Sequence, residues 1–334
     1  MSITRNILVG TTISAVMTIV SCSPADVTTP KAATEGTKTA ATKPAEPVKE
    51  SASKAVSQAA PENIEGTVLA DGTQAGVSVV TTEELAAVTG DLDIGIAALD
   101  TGDFALAARE FAVAFDKGEP DGAFYLGRMY ETGTGAPANI PQAVQLYRAG
   151  IDKGSHAALN RLGVMHLEGT GVLQDFSEGA KLICEAGDKG DVNGQFNCGT
   201  LYMDGRGVDV DNAKAVEYFR KAAAKDHIAA RNFLGLSYIS GNGVEADQAK
   251  AVEQFQKTAE RGNLLGMVHL GKYYADEEEK GHRDLELSHM YFNLAASNGH
   301  PSAAQSRDQV QTLMSNDQIE AAQNRAREWK PTAP

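Results

Sequence analysis

Positive charge is scarce in this sequence. There are 30 Lys and Arg residues against 44 Asp and Glu residues, and the formal net charge is −14. Nucleic-acid binding requires clustered Lys and Arg that neutralise phosphates, so this balance argues against a nucleic-acid partner. A strongly acidic surface indicates a soluble chain whose copies repel one another.

The sequence also lacks the short motifs typical of metal sites and catalytic sites. Its seven histidines never form His-Glu-x-x-His and its three cysteines never form Cys-x-x-Cys, so no zinc site is expected. No serine lies in a nucleophile-elbow motif, and no Gly-x-Gly continues into the Gly-Lys-Ser/Thr of a phosphate loop. We predict no catalytic residue, no metal and no cofactor, although missing motifs alone do not exclude an enzyme.

The apolar stretch near the N-terminus is too short for a comfortable transmembrane helix. Ile7–Val20 covers 14 residues and follows Arg5, which predicts a secretory signal peptide over residues 1–21. Its end, Ile-Val-Ser before Cys22, resembles the bacterial lipobox, which implies lipidation of Cys22. Ser23 in place of Asp indicates outer-membrane anchoring, so we expect an exported protein in the cell envelope that faces the periplasm. The alternative is an ordinary signal peptide in which Cys22 is incidental.

Aromatic residues are absent from residues 23–63, which consist mostly of Ala, Thr, Lys, Pro, Glu and Ser. Such a composition cannot bury enough apolar surface to offset the entropy of ordering. We therefore predict that residues 22–80 form a disordered, lipid-anchored linker. A capping-box pattern at Thr81-x-x-Glu84 and a helical pair at 92–100 and 103–117 then predict N-terminal capping helices over residues 81–117.

What the sequence does contain is a repeat. One glycine of a Leu-Gly-x-x-Tyr pattern returns every 36 residues, at Gly127, Gly163, Gly199, Gly235 and Gly271. A fixed period of this size predicts a helical solenoid in which each repeat buries its apolar face against its neighbours. We place five repeats over residues 118–299, each with a helix A, a Gly-x-Gly loop and a helix B. Residues 300–334 depart from the period and are predicted to be C-terminal capping helices in which Trp329 packs on the core.

The loop glycines and the residues that follow them carry the second half of the pattern. Asn139, Asp175, Asp211 and Asp247 lie where helix B needs an N-cap. In register, the whole pattern resembles the Sel-one-like repeat (SLR) family, which is related to the tetratricopeptide repeat. The resemblance implies an all-α fold, a right-handed α/α superhelical solenoid, with helix A lining the concave face. Departures from the family pattern include Cys198 in place of a core Leu and the loss of Gly-x-Gly in the fifth repeat.

The resemblance also bears on the cysteines. Some secreted, cysteine-rich SLR proteins pair cysteines at positions equivalent to Gly187 and Gln195. Cys184 and Cys198 lie one helical turn deeper in the same helical hairpin, so the resemblance implies a disulfide between repeats two and three. An exported compartment permits such a bond. Two free, buried thiols are the alternative, because Cys often behaves as a small apolar residue.

The variable positions of helix A predict a partner-binding face. Asn side chains can bracket the backbone of an extended peptide, while aromatic side chains supply contact area. The alternative is that some of the aromatic residues, Phe196 and Phe233 in particular, only pack between neighbouring helices. The predicted partner-binding residues are Phe124, Tyr125, Arg128, Asn160, Arg161, Asn197, Asn232, Phe233 and His269.

These features predict a non-catalytic interaction scaffold or regulator in the bacterial envelope. Its partner would be a protein or an extended peptide of unknown identity, and it would touch the membrane only through its lipid anchor. Two alternatives stay open. One is a periplasmic hydrolase that acts on cell wall or β-lactams, which only the resemblance to relatives suggests. The other is a purely structural array whose groove binds nothing.

Overall fold

The structure, a computed structural model, describes residues 88–276 and 283–332. The predicted signal peptide, Cys22, the linker and the capping-box pattern at Thr81-x-x-Glu84 lie outside the described residues. The described residues form helices and contain no strand. None of these helices is long and apolar enough to span a bilayer.

The helices follow one another in pairs, and each packs mainly against the helices before and after it in the chain. In chain order they are α1 (Leu92–Thr101), α2 (Phe104–Asp116), α3 (Asp121–Thr132), α4 (Ile140–Asp152), α5 (His156–Glu168), α6 (Phe176–Asp188), α7 (Val192–Asp204), α8 (Asn212–Ala224), α9 (Ile228–Ser240), α10 (Gln248–Glu260), α11 (Leu264–Ala275), α12 (Leu285–Ser297), α13 (Ala303–Gln311) and α14 (Asn316–Glu328). The five repeats are the pairs from α3/α4 to α11/α12, with helix A first in each pair. The fold is therefore an α/α solenoid.

Helix ends follow the sequence closely. In repeats one to four, helix A ends at a glycine in the left-handed conformation, such as Gly205 with φ 67°. Each predicted N-cap of helix B accepts a hydrogen bond from the backbone N–H three residues later; Asp284 does the same in repeat five. The fifth helix A lacks a glycine there and instead ends at Asp276 in extended backbone. Capping thus fixes where each helix starts and stops.

The core is built from one large residue of each helix B that packs on the repeating glycine of helix A. A Cβ atom added to Gly199 would lie 2.6 Å from the Phe219 ring, so no other residue fits there without movement. The other four repeats have the same arrangement. The helix-B residues at this position are all almost fully buried: Tyr147, Ile183, Phe219, Phe255 and Phe292.

Repeats two and three are joined covalently. Cys184 on α6 and Cys198 on α7 form a disulfide with their Cα atoms 4.9 Å apart. The predicted pairing is therefore present, and it connects two antiparallel helices of adjacent repeats near the middle of the array.

The two ends of the array are covered by helices outside the period. At the C-terminus, Ser315 and Gln318 form the predicted capping box that opens α14. Trp329 is partly buried against the apolar core of the last repeats. This tryptophan packs, as predicted, on the core that the last repeat would otherwise expose.

Candidate binding face

The helix-A face is defined here by two columns of side chains that flank the buried Leu (Cys198 in repeat three) of each helix A. All are partly or fully exposed, and successive members belong to successive repeats. The columns are Tyr125, Arg161, Asn197, Phe233 and His269, and Arg128, Val164, Thr200, Leu236 and Lys272. Six of the nine predicted binding residues belong to this face.

Charged residues of repeats one and two pair with one another at this face. The side chain of Glu131 is only 9% exposed, and one of its oxygens accepts hydrogen bonds from Arg128 Nη1 (3.1 Å) and Tyr147 Oη (2.5 Å). Arg161 donates to both carboxylate oxygens, with its Nε at 2.9 Å. Arg161 is therefore held against Glu131 and does not project as an isolated cation.

The environment of Glu131 perturbs its titration. Burial alone would raise the pKa of this carboxyl, but the hydrogen bonds from Arg161 and Tyr147 and the charges of both arginines hold the pKa below its usual value. Burial, and then the charge of Glu131, raise the pKa of the Tyr147 hydroxyl. Glu131 is thus ionised and fully engaged near neutral pH, which makes this cluster a fixed part of the scaffold rather than a proton donor or acceptor.

Two asparagines bridge repeats two and three. Asn197 Nδ2 donates to Asn160 Oδ1 over 3.0 Å, and both side chains remain partly exposed. A primary amide offers two N–H groups and one oxygen, so this bond uses only part of the pair's capacity. Among the described residues, no hydrogen bond engages the Asn160 amide nitrogen or the Asn197 side-chain oxygen. The pair therefore holds one donor and one acceptor side by side.

Asn232 is more deeply buried than the other predicted binding residues. Its side chain is only 5% exposed, and its Nδ2 donates to Asn263 Oδ1, the N-cap of α11, over 3.0 Å. Asn232 precedes Phe233 by one residue, and one residue turns a helix by about 100°, so the amide points into the contact between neighbouring helices A. In this conformation Asn232 joins repeats four and five and cannot present its amide to a ligand.

The aromatic residues pack between helices and still reach the surface. Tyr125 stacks on Phe111 with ring centroids 4.9 Å apart, and Phe233 stacks on Phe219 at 5.2 Å. Phe124, which lies one residue before Tyr125, is partly exposed and contacts the Tyr125 ring edge-on at 5.2 Å. These packed rings are rigid, so they present contact area with little conformational freedom to lose.

Histidine 269 behaves as a neutral group. It stacks on Phe255 with centroids 4.4 Å apart. Burial first, and then the nearby charges of Lys272 and His300, lower its pKa to about 4. His269 therefore carries no charge near neutral pH, and the face has no histidine cation at this repeat.

Similarity to known proteins decides the family. Five consecutive matches to the Sel1 repeat cover residues 120–155, 156–191, 192–227, 228–263 and 265–300. The chain belongs to the Sel1 repeat family. Sel1 repeats mediate protein–protein interactions, and Sel1-repeat proteins are generally non-catalytic scaffolds. No curated protein matches the chain.

Two solved structures resemble this Sel1-repeat protein. One is a protective antigen present in uropathogenic Escherichia coli strains that displays an SLR fold, with 29% identity, a TM-score of 0.61, and coverage of 72% of this chain and 53% of the antigen. The other is a Sel1 repeat protein from Oxalobacter formigenes, with 26% identity, a TM-score of 0.59, and coverage of 72% and 100%. The chain thus spans about half the length of the first protein and all of the second.

Besides the Glu131 cluster, sequence reasoning missed a charged cavity of the Sel1 array. A cavity of about 250 Å³ lies at an edge of repeat four, where Thr332 near the C-terminus also lines it. Its lining includes Asp226 and Arg231, which form an ion pair at 2.5 Å, and Lys257, which pairs with Glu253 at 2.5 Å. Because the charges are mixed and largely paired, this cavity does not favour an ion of either sign. The signal was Asp226 itself, which stands where the other repeats have glycine.

The described residues contain no cluster of three or more His, Cys, Asp or Glu side chains that could hold a metal ion. The chemistry of the helix-A face is therefore that of amides, aromatic rings, one cluster of paired charges and the exposed Lys272. Such a surface can hydrogen-bond and pack, but nothing in it is arranged as a nucleophile with an adjacent base.

Proposed function

We propose that this Sel1-repeat protein is a non-catalytic scaffold that binds an extended peptide segment of a protein partner along the helix-A face. The observation that carries the proposal is the Asn160–Asn197 pair, whose second hydrogen-bonding groups point to no partner in the described chain. An adjacent donor and acceptor match the C=O and N–H of an extended backbone. Recognition of backbone by amides leaves side-chain specificity to the neighbouring positions.

The surroundings of the amide pair support a peptide rather than a small ion. One column of the face reads Tyr125, Arg161, Asn197 and Phe233 through repeats one to four. Arg161 is paired with Glu131 and also lies 3.8 Å from a carboxylate oxygen of Glu168, so Arg161 is not an isolated anion site. Packed aromatic rings lie in repeats one and four, on either side of the polar repeats, where an extended chain crossing the helices would contact both.

The compartment is a second part of the proposal. We propose that the chain is exported and anchored by a lipid on Cys22, and the Cys184–Cys198 disulfide supports this because such bonds persist in oxidising compartments. Metabolic labelling with an alkyne fatty acid should mark the wild-type protein in the envelope fraction and should not mark a Cys22→Ser variant. Equal labelling of both proteins would contradict lipidation at this residue.

Binding at the face can be tested with a matched pair of double variants. Asn160→Ala with Asn197→Ala removes the amide pair, while Lys181→Ala with Glu217→Ala removes two exposed residues of helix B in the same repeats. A biotinylating enzyme fused to the full chain should label a partner protein when the chain is wild type or the helix-B variant. The amide variant should not label that partner. If all three proteins label the same set of partners, the proposed binding face is wrong.

The non-catalytic assignment has its own test. Turnover of a chromogenic β-lactam, or release of muropeptides, by the purified chain would overturn it.

A further inference from the structure

One position of helix A carries a small side chain in the fourth repeat only. Three residues after the core Leu or Cys, repeats one to three carry a large buried side chain: Met129 (7% exposed), Met165 (0%) and Leu201 (5%). Repeat four carries Ser237 at this position. In repeats one and two the methionine methyl reaches the loop glycine of its own repeat: a Cβ on Gly135 would lie 3.7 Å from Met129 Cε, and one on Gly171 would lie 3.5 Å from Met165 Cε.

The serine leaves that space unfilled. Ser237 Oγ donates back to the carbonyl oxygen of Phe233 over 2.9 Å, so the hydroxyl is satisfied within its own helix. A pocket of about 140 Å³ opens beside it, with apolar walls from Met203, Ala215, Phe219, Phe233 and Leu236. The exposed residues Ser240 and Asn242 form part of the lining, so the pocket opens to solvent.

The walls of the pocket are shared with the helix-A face. Phe233 and Leu236 belong to both, and each is partly exposed. A peptide that follows the face through repeats three and four therefore passes over the mouth of the pocket. Phe219 and Ala215 come from helix B of repeat three and are buried, which makes the inner wall rigid.

We infer that this pocket is the specificity site of the helix-A face and takes one large aliphatic side chain, Leu or Met, from the bound partner; the inference rests on the proposed function. The occupant follows from the array itself, because Met or Leu fills the equivalent space in each of the three preceding repeats. The size agrees, since an apolar cavity of roughly this volume can hold a benzene-sized group. The apolar wall excludes charged side chains, which would lose their hydration without gaining a partner.

The test uses a library, because no partner has been named. A random-peptide display library is selected on the purified full chain as wild type, Ser237→Ala and Ser237→Met. Alanine keeps the pocket open, whereas methionine restores the residue that fills it in repeats one and two. Wild type and Ser237→Ala should enrich peptides with Leu or Met at one fixed position, and Ser237→Met should not. The affinity of an enriched peptide should fall at least about tenfold on Ser237→Met, from the burial of one aliphatic side chain.

A substitution in the peptide completes a double-mutant cycle with Ser237→Met. Replacing its Leu or Met with Ala should weaken binding to wild type by a similar factor and cause no further loss on Ser237→Met, because the two changes remove one interaction. The melting temperature of Ser237→Met should equal or exceed that of wild type, which would exclude a folding defect. Enriched peptides that bind Ser237→Met as tightly as wild type would overturn the pocket alone. Failure of wild type to enrich any peptide would overturn the proposed function and the pocket with it.

Discussion

Two aspartates that open the helices of repeat three should respond to pH in opposite directions. Asp191 caps α7 and accepts from Gly194 N at 2.5 Å, and Asp211 caps α8 and accepts from Lys214 N at 3.0 Å. Their capping bonds are alike, but the Asp191 bond is partly buried, whereas the Asp211 bond is exposed and the Asp211 side chain is 36% exposed. The matched change is Asp to Asn at each position, since Asn caps a helix about as well as Asp.

The expected sign follows from the pKa of each carboxyl. Burial raises the pKa of Asp191 from 3.8 to about 6; the charge of Asp121 adds to this, and the Gly194 bond and Lys225 oppose it. The folded state then binds the proton more tightly than the unfolded state, so this carboxyl's favourable contribution is complete below about pH 4 and is lost as pH rises to about 6. At about 1.36 kcal/mol per pH unit, the loss is at most about 3 kcal/mol.

Asp191→Asn cannot ionise and should escape this loss. Near pH 4 we expect it to match wild type, and near neutral pH we expect it to be more stable by up to about 3 kcal/mol. Asp211 differs: the backbone bond from Lys214 and the Lys214 charge lower its pKa, so its ionised form stabilises the fold above its usual pKa. Asp211→Asn should therefore be less stable than wild type near neutral pH.

Urea denaturation followed by far-UV circular dichroism, at both pH values and for all three proteins, measures these differences. The reasoning would be refuted if Asp191→Asn were destabilised near neutral pH by as much as Asp211→Asn. It would also be refuted if the difference between Asp191→Asn and wild type did not change with pH. A protein of this kind can melt in parts, so the m-values of the three proteins must agree before their free energies are compared.

Three further predictions concern the scaffold. Tyr147→Phe removes one donor from buried Glu131 and should lower the free energy of unfolding in urea by about 1–3 kcal/mol; no change would show that the hydroxyl bond is dispensable. Reduction of Cys184–Cys198 should lower it by about 3 kcal/mol for a loop of this length, while the Cys184→Ser/Cys198→Ser protein should be insensitive to dithiothreitol. Gly199→Ala should cost about 1–3 kcal/mol by overpacking against the facing phenylalanine, and a melting temperature equal to wild type would contradict that contact.

The sequence was sufficient for the backbone of the array because its signals are local and repeated. Asp175 and Asp211 cap their helices by accepting a hydrogen bond from a backbone N–H three residues later, so aligning the repeats is enough to predict these caps. The burial of Asn232 is not evident from the sequence, because its environment is set by Asn263 in the next repeat, 31 residues on. Glu131 was overlooked for the same reason, since its arginine and tyrosine partners converge only when three helices pack together.

In a repeat array, the positions that indicate function are those where one repeat departs from the residue type that packing gives to the other repeats. Repeats one to three bury a large apolar residue at the Ser237 position, namely Met129, Met165 and Leu201, and a serine there gives up burial worth about 1.5–3 kcal/mol. Asp226 behaves in a similar way, because its φ of 61° occupies a site that the other repeats give to glycine. Both departures fall in repeat four, and neither is visible in that repeat alone. Comparison of repeats in register therefore supplies the reference against which a binding site can be recognised in a single chain.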